Sequence, residues 1–269
     1  MGKILAALLF AASMPAVAAM EDVPFVVTPD NVTLAMLQLA GVGPQDYVID
    51  LGSGDGRIVI LAAKRFSARG LGVEIDPTLV ERSRQNARAA GVEGRAIFRE
   101  QDLFKTDLSP ASVITMYLLP EVNLHLRPRI LALRPGTRVV SHDWDMGEWK
   151  PDKTVVVEAP DKMIGLEKAS HVHLWIVPAR VDGHWCGTGK ARGTALRIEQ
   201  DFQRFRARMQ KAGSDPLELQ GSIEGVTLRS PRNASLRLEG DRLKLQAIAK
   251  PYSPHHGGTF ARARGPNCH

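Results

Sequence analysis

The densest concentration of chemistry-bearing residues is Tyr47-Val48-Ile49-Asp50-Leu51-Gly52-Ser53-Gly54-Asp55-Gly56-Arg57. A short apolar run ends in a carboxylate, passes through three glycines at alternate positions and enters helical patterning. Glycine permits positive φ and carries no side chain, so such a loop lets backbone approach a ligand closely. An ordinary tight turn is the bland alternative. The spacing G-x-G-x-G differs from the G-x-G-x-x-G of dinucleotide folds, which counts against NAD. A second marker is Gly72-Val73-Glu74-Ile75-Asp76, whose Glu74 lies 18 residues past Gly56. A carboxylate there can accept hydrogen bonds from both hydroxyls of a ribose, or it can be a solvated strand end. A third is Asp102 in Gln101-Asp102-Leu103, suitably placed for an adenine amino group.

Strands and helices must hold these residues in place. Thr28 and Pro29 open a helix in which Val32, Met36, Leu37 and Ala40 recur at helical spacing. Strand signals follow at Tyr47 to Leu51, Gly70 to Ile75, Arg95 to Phe98, Ser112 to Tyr117 and Arg138 to Asp143. Between them lie helical stretches at Arg57 to Phe66, Pro77 to Ala90 and Glu121 to Leu133, the last interrupted by Pro128. This alternation predicts an α/β fold whose mostly parallel sheet is covered by helices on both faces. Val155 to Glu158 and His171 to Val177 read as an antiparallel hairpin closing that sheet. Beyond Pro178, period-two patterning with glycine turns predicts a small antiparallel β unit, a helix over Glu199 to Lys211 being the main competitor.

Asp50 to Gly56, Glu74 and Asp102, in that order on successive strand ends, resemble the class I S-adenosylmethionine-dependent methyltransferases over about residues 25–178. The resemblance implies a Rossmann-like, seven-stranded sheet and S-adenosylmethionine as cofactor. It implies that Asp50, Gly52 and Gly54 shape the methionine side, Glu74 the ribose and Asp102 the adenine, with Ser53, Asp55 and Gly56 of the same loop also binding cofactor. Asp50 to Arg57, Gly72 to Pro77, Tyr117 to Asn123 and Gly136 to Trp149 resemble a narrower group. These are bacterial relatives of the mitochondrial protein-lysine methyltransferases of the adenine-nucleotide translocase and the ATP-synthase c subunit. That likeness implies a protein lysine as acceptor and a role for Thr28 in closing the cofactor site. Phe25-Val26-Val27 departs from the more aromatic, proline-rich lead-in expected there.

Methyl transfer is an in-line displacement at a carbon already activated by its sulfonium, so the protein mainly positions a deprotonated nucleophile. Acceptor-side groups belong after the fourth and fifth strands, at the carboxyl edge of the sheet. Met116-Tyr117-Leu118-Leu119-Pro120-Glu121-Val122-Asn123 supplies the catalytic candidates Tyr117, Glu121 and Asn123. Glu121 can steer a cationic acceptor, or simply suit the first turn of a helix. The stretch is not the Asn/Asp-Pro-Pro-aromatic loop of enzymes that methylate planar amide or nucleobase nitrogens. Asp143, Trp144, Asp145, Glu148 and Trp149 follow the fifth strand and can bound a cation-accepting cleft or form an ordinary packed rim. Ser141-His142-Asp143 is contiguous, so it is not expected to converge as a relay. His171 and His173 share a strand face, and exposed edge histidines are the simpler reading than metal ligands; no metal is assigned.

The whole chain has 269 residues, 44% hydrophobic and 24% charged, with only two cysteines, which excludes a disulfide-dense miniprotein and a multi-span membrane protein. Charge is uneven: residues 1–160 carry 17 Lys+Arg against 19 Asp+Glu, and residues 161–269 carry 18 against 10. Met1-Gly2-Lys3, the apolar run Ile4 to Ala12 and small residues at A-x-A spacing read as a signal peptide over 1–19, which predicts export, to the periplasm in a Gram-negative host. The expected organisation is then a cofactor-binding domain over 20–178, a basic β unit over 179–250 and a loose tail over 251–269. Cys186 and Cys268 can pair and tie that tail back, or stay as free thiols. Protein substrate is the expected partner, with an anionic envelope partner for the basic unit. Nucleic acid and a further membrane span are not expected. A noncatalytic binding module that keeps the fold is the competing function.

Overall fold

A computed structural model describes residues 26–163, 167–231, 234–248, 255–263, 265 and 268. The signal-peptide segment 1–19 lies outside the described residues. Elements alternate through the first part: α1 (Asp30–Leu39), β1 (Tyr47–Leu51), α2 (Arg57–Phe66), β2 (Arg69–Glu74), α3 (Pro77–Ala89), β3 (Ala96–Glu100), β4 (Val113–Met116), α4 (Pro120–Leu131) and β5 (Arg138–His142). The hairpin β6 (Lys153–Glu158) and β7 (Ala169–Ile176) completes one seven-stranded sheet in the order β3-β2-β1-β4-β5-β7-β6. The five strands β1 to β5 are parallel, and β7 runs antiparallel to both β5 and β6. The order reverses between β1 and β4, which is where open α/β sheets open a ligand crevice at their carboxyl edge.

Strand β1 is buried on both faces, as a central parallel strand must be. Val48 faces the core under α1 and α2, with Met36, Ile58 and Ala62, while Ile49 and Leu51 face the core under α4, with Val122, Leu126 and Ile130. Each such aliphatic side chain contributes about 1.5–3 kcal/mol by leaving water. Pro128 does not interrupt α4, contrary to the expectation from sequence: the helix runs through it. The carbonyl that a proline leaves unpaired, four residues back, belongs to Leu124, and both residues are exposed, so water can serve that carbonyl.

The second part is a closed antiparallel barrel. Strands β8 (Gly183–Thr188), β9 (Thr194–Asp201), β10 (Arg204–Lys211), β11 (Leu217–Glu224), β12 (Thr227–Ser230), β13 (Ala234–Glu239), β14 (Arg242–Ala247) and β15 (Thr259–Arg262) pair in chain order, and β15 returns to β8. Trp185, Ile198, Phe205, Leu236, Leu243 and Phe260 fill the interior, so the barrel is a packed core. The helix alternative over Glu199 to Lys211 is replaced by the β9–β10 hairpin, which turns at Phe202.

The tail is a further correction. Thr259–Arg262, expected to be loose, is the strand that closes the barrel, and Cys268 is joined to Cys186. Four residues are too few to show a period in sequence. Burial of Phe260 and the open edges of β14 and β8 supply the reason they order.

Barrel and sheet meet through Phe202. Its ring stacks on Trp149 (centroids 6.3 Å, 13° between planes) and lies 5.7 Å from the Arg127 guanidinium carbon. Close by, Gln203 Nε2 donates to Lys150 O at 2.6 Å and Ala179 N donates to Gly225 O at 2.7 Å.

Candidate functional site

All three glycines after β1 take positive φ: Gly52 at 72°, Gly54 at 53° and Gly56 at 84°. An L side chain would be strained at each. At Gly56 an added Cβ would also lie 2.7 Å from the Phe98 ring and 2.8 Å from Ser83 Cβ, so this loop must be glycine to sit against β3 and α3. The tight turn is thus part of a larger construction that folds back on β2. Gly52 N and Ser53 N donate to Val73 O at 2.9 and 3.0 Å, and Gly54 N donates to Glu74 Oε2 at 3.0 Å.

Glu74 Oε1 accepts from Ile75 N at 2.8 Å and from Asp76 N at 3.2 Å. Three backbone amides therefore fix the carboxylate at the end of β2, and the remaining Oε2 lone pair can accept from a ribose hydroxyl. Ile75, next to it, is 70% exposed. An apolar residue left in water at a strand end, beside Gln101 and Asp102, gives a ring a surface to lie on (Gln101 N donates to Glu74 O, 2.8 Å). Ile75 is not among the residues expected from sequence, although an apolar residue directly after the strand-end carboxylate is a visible signal. Asp102 sits just past β3 with Oδ1 accepting from Phe104 N at 2.8 Å and Oδ2 3.4 Å from Lys105 Nζ.

Asp50 is buried, and Thr115 Oγ1 donates to its Oδ1 at 2.7 Å. Burial pushes its carboxyl up to about 7 against the Thr115 bond, with the charges of Glu74 and Asp55 adding to the rise. A cationic group beside Asp50 would reverse that shift. Ser53 Oγ is buried without a partner and lies against Gly72 of β2, where any added Cβ would meet it at 2.6 Å. Glycines, Asp50 and Glu74 together fit an aminoacyl nucleoside.

Asp55 pairs with Arg57. Arg57 donates to its Oδ1 through Nε (3.0 Å) and to its Oδ2 through Nη2 (2.7 Å), and the same guanidinium donates to Thr28 O at 2.9 Å. Although burial alone would raise it, these bonds hold the Asp55 carboxyl below the ordinary range. Asp55 braces the glycine loop to the lead-in to α1 through Arg57.

The acceptor side is built where β4 and β5 end. Tyr117 stacks on His142 with ring centroids 3.9 Å apart. His142 is fully buried, with Nδ1 3.2 Å from Thr28 Oγ1 and Nε2 2.8 Å from Ser170 Oγ. Thr28 thus reaches the site through His142. Burial drives the His142 ring down to about 4, so it is neutral at pH 7 and its 3.4 Å approach to Asp143 is no ion pair. Asp143 takes φ +60°, which swings its carboxylate back toward His142 despite their adjacency in sequence. Ser141 stays apart, 3.4 Å from Asn123 Nδ2, so the three do not form a relay. Burial, with the negative charge of nearby Asp143 adding to it, pushes the Tyr117 phenol up to about 12, so it remains protonated.

Asn123 is engaged with the loop after β5. It is fully buried in α4, and Nδ2 reaches Trp144 O and Asp145 O at 3.3 Å each, holding the loop after β5. These bonds give Asn123 a positioning role for that loop, while its buried Oδ1 is left without a partner. Glu121 is exposed in the first turn of α4, and Trp144 is 41% exposed. His171 and His173 stack at 6.1 Å; His173 has Nδ1 2.9 Å from Thr154 Oγ1 and Nε2 3.2 Å from Asp143 O.

Strand order 3-2-1-4-5 with a glycine-loop crevice after β1 and a ribose carboxylate after β2 defines a class I S-adenosylmethionine-dependent methyltransferase. The family model of the ANTKMT methyltransferase domain matches residues 50–153. A protein-lysine N-methyltransferase of Saccharolobus islandicus is 44% identical over 138 residues, which is 51% of this chain and 86% of that protein. The chain belongs to this methyltransferase family. The mouse lysine N-methyltransferase of the ATP-synthase c subunit is 40% identical over 40% of this chain, which spans 43% of that relative's length. Among solved structures, an RNA methyltransferase from Salinibacter ruber in complex with S-adenosyl-L-homocysteine is 50% identical with a TM-score of 0.53, covering 58% of this chain and 96% of that one.

Proposed function

We propose that the chain transfers a methyl group from S-adenosylmethionine to the ε-amine of a protein lysine. The observation that carries this reading is the placement of carboxylates at the ends of β4 and β5, Glu121 in the first turn of α4 and Asp143 and Asp145 in the loop directly after β5. When bound, the cofactor supplies a methyl carbon activated by its positive sulfonium. Glu74 would hold the ribose, Asp50 the amino group of the methionine and Asp102 the adenine edge. Strands lie about 4.8 Å apart, so the ends of β4 and β5 are the next places along the edge. Asp143, Asp145 and Glu121 give that end a field that attracts an ammonium ion. That ammonium gives up its proton to solvent water before the neutral amine attacks the methyl carbon and S-adenosylhomocysteine leaves. Tyr117 stays protonated, so it orients rather than removes a proton.

The Salinibacter ruber protein, named an RNA methyltransferase, favours a second reading with RNA as acceptor. The same carboxylates would repel phosphodiesters, and the names of the curated relatives at 40–44% identity specify lysine. An isotope-labelled methyl donor offered to protein extract and to RNA in separate reactions decides between them. Label on protein lysine is expected; label on RNA alone would overturn the lysine reading.

We further propose that the protein is exported. The basic start, apolar run and small residues over 1–19 support cleavage, and a Cys186–Cys268 disulfide suits an oxidising compartment. A mature protein still beginning at Met1 would contradict this. The barrel's groove of about 1130 Å³ carries Arg204 and Arg206 on β10 and Arg229 on β12 against Glu199 and Asp201 on β9, an excess of one positive charge that supports an anionic partner for the basic unit. Loss of binding to a polyanion resin in Arg204→Ser/Arg206→Ser is the expected result, and unchanged binding would remove that partner.

A further inference from the structure

The chain already contains an amine at its own acceptor side. Lys162 Nζ donates to Asp143 Oδ2 at 2.9 Å and to Ala169 O at 2.7 Å, and its side chain is only 11% exposed. We propose that Asp143 is the anchor for the acceptor ammonium and that Lys162 is its internal occupant, displaced when an acceptor amine enters. This rests on the reading of an amine acceptor given above.

Three features single out Asp143 among the nearby carboxylates. It follows β5 directly, and β5 pairs with β4, which places it next to the cofactor strands. Its side chain is 13% exposed, so its charge acts through protein rather than water and holds a cation strongly. Its carboxylate is fixed before any ligand arrives: φ is +60°, and Oδ1 accepts from His171 N at 2.9 Å. Asp145, by contrast, uses Oδ1 to close a turn with Gly147 N at 2.9 Å.

The cation on Asp143 has the chemistry of the expected substrate. The adjoining His142 ring is neutral and bonded at both nitrogens, so it cannot replace that cation. Lys162 belongs to the connection between β6 and β7 and lies outside both strands, so its side chain can leave without breaking the sheet. Exposed Leu119 and Trp144 border the strand ends where an entering aliphatic stem needs apolar contact.

The test uses the full mature protein saturated with S-adenosylhomocysteine and n-butylammonium as probe, read by calorimetry. Lys162→Met should bind the probe at least tenfold more tightly than wild type. Lys162→Arg, which keeps a cation on Asp143, should stay within threefold of wild type. Adding Asp143→Asn to Lys162→Met should abolish the gain. Lys162→Gln keeps a donor and must show the same gain if Lys162→Met does not fold. A gain below twofold, no detectable binding to the neutral variants, or a gain that survives Asp143→Asn overturns the proposal and leaves the pair a structural brace. Methyl transfer to a lysine peptide is measured separately on wild type. Transfer without a probe gain sinks this inference alone, and a gain without transfer sinks the lysine reading alone.

Discussion

The Thr115 hydroxyl donates to the buried carboxylate of Asp50 at 2.7 Å, tying the end of β1 to β4 at the point where the strand order reverses. That bond stabilises an ionised Asp50, yet burial outweighs it and lifts the carboxyl from 3.8 to about 7. One strand further, burial takes His142 the other way, from 6.5 to about 4.

These two groups give opposite pH slopes to stability. Between pH 3.8 and about 7 native Asp50 keeps a proton that the unfolded chain has released, so its contribution falls as pH rises. Between pH 6.5 and about 4 native His142 stays neutral where the unfolded chain takes a proton, so its contribution falls as pH drops. Melting curves of the cofactor-free protein should therefore show a steeper rise in Tm from pH 4 to 6.5 in Asp50→Asn than in wild type. His142→Gln should shift the slope downward. Variant-minus-wild-type differences that do not change with pH would contradict both assignments.

Gly56→Ala combines a φ of 84° with a Cβ placed 2.7 Å from the Phe98 ring. Left-handed strain and overpacking each cost about 1–3 kcal/mol. Thermal unfolding should drop by several degrees, and cofactor affinity should fall with it. An unchanged Tm would mean that the loop is not held against β3.

Phe202→Ala removes a ring stacked on Trp149 and facing Arg127, whose Nη1 donates to Met146 O at 2.9 Å in the acceptor-side loop. The expected loss is about 1–3 kcal/mol in stability. Acceptor KM should rise several-fold while cofactor affinity holds. Equal damage to both substrates would place Phe202 outside the acceptor-side network.

The Cys186–Cys268 disulfide closes a segment with a sequence separation of 82 and ties the chain beyond β15 to β8. On a chain-entropy estimate it contributes about 4–5 kcal/mol to barrel stability. Cys268→Ser should lower the denaturant midpoint by a corresponding amount and leave cofactor binding intact. Identical midpoints with and without reductant would show the bond to be absent in solution.

Much of the sheet was legible because its signals are local. Alternating strands and helices, three glycines and carboxylates at strand ends all lie within short stretches of chain. Glu74 and Asp50 occupy the strand ends that their sequence context indicates. The acceptor side was less legible because it is assembled across distance. Thr28 meets His142 over 114 positions, and Lys162 meets Asp143 from a connection with no pattern of its own. Arg57 takes the Asp55 carboxylate, a pairing that G-x-G-x-G spacing does not reveal. Barrel closure was invisible for the same reason, since β15 is four residues long and its partners β8 and β14 lie elsewhere in the chain.

A cofactor held between Asp50 and Glu74 is what every acceptor-side role depends on, so the decisive measurement is calorimetric titration of S-adenosylmethionine into the wild-type protein and Glu74→Ala. Bonds from ribose hydroxyls to a charged carboxylate contribute about 1.5–3 kcal/mol each. Wild type should bind at one site per chain, and Glu74→Ala should bind at least tenfold more weakly. No heat of binding with wild type, or equal affinity in the two proteins, would contradict this cofactor site.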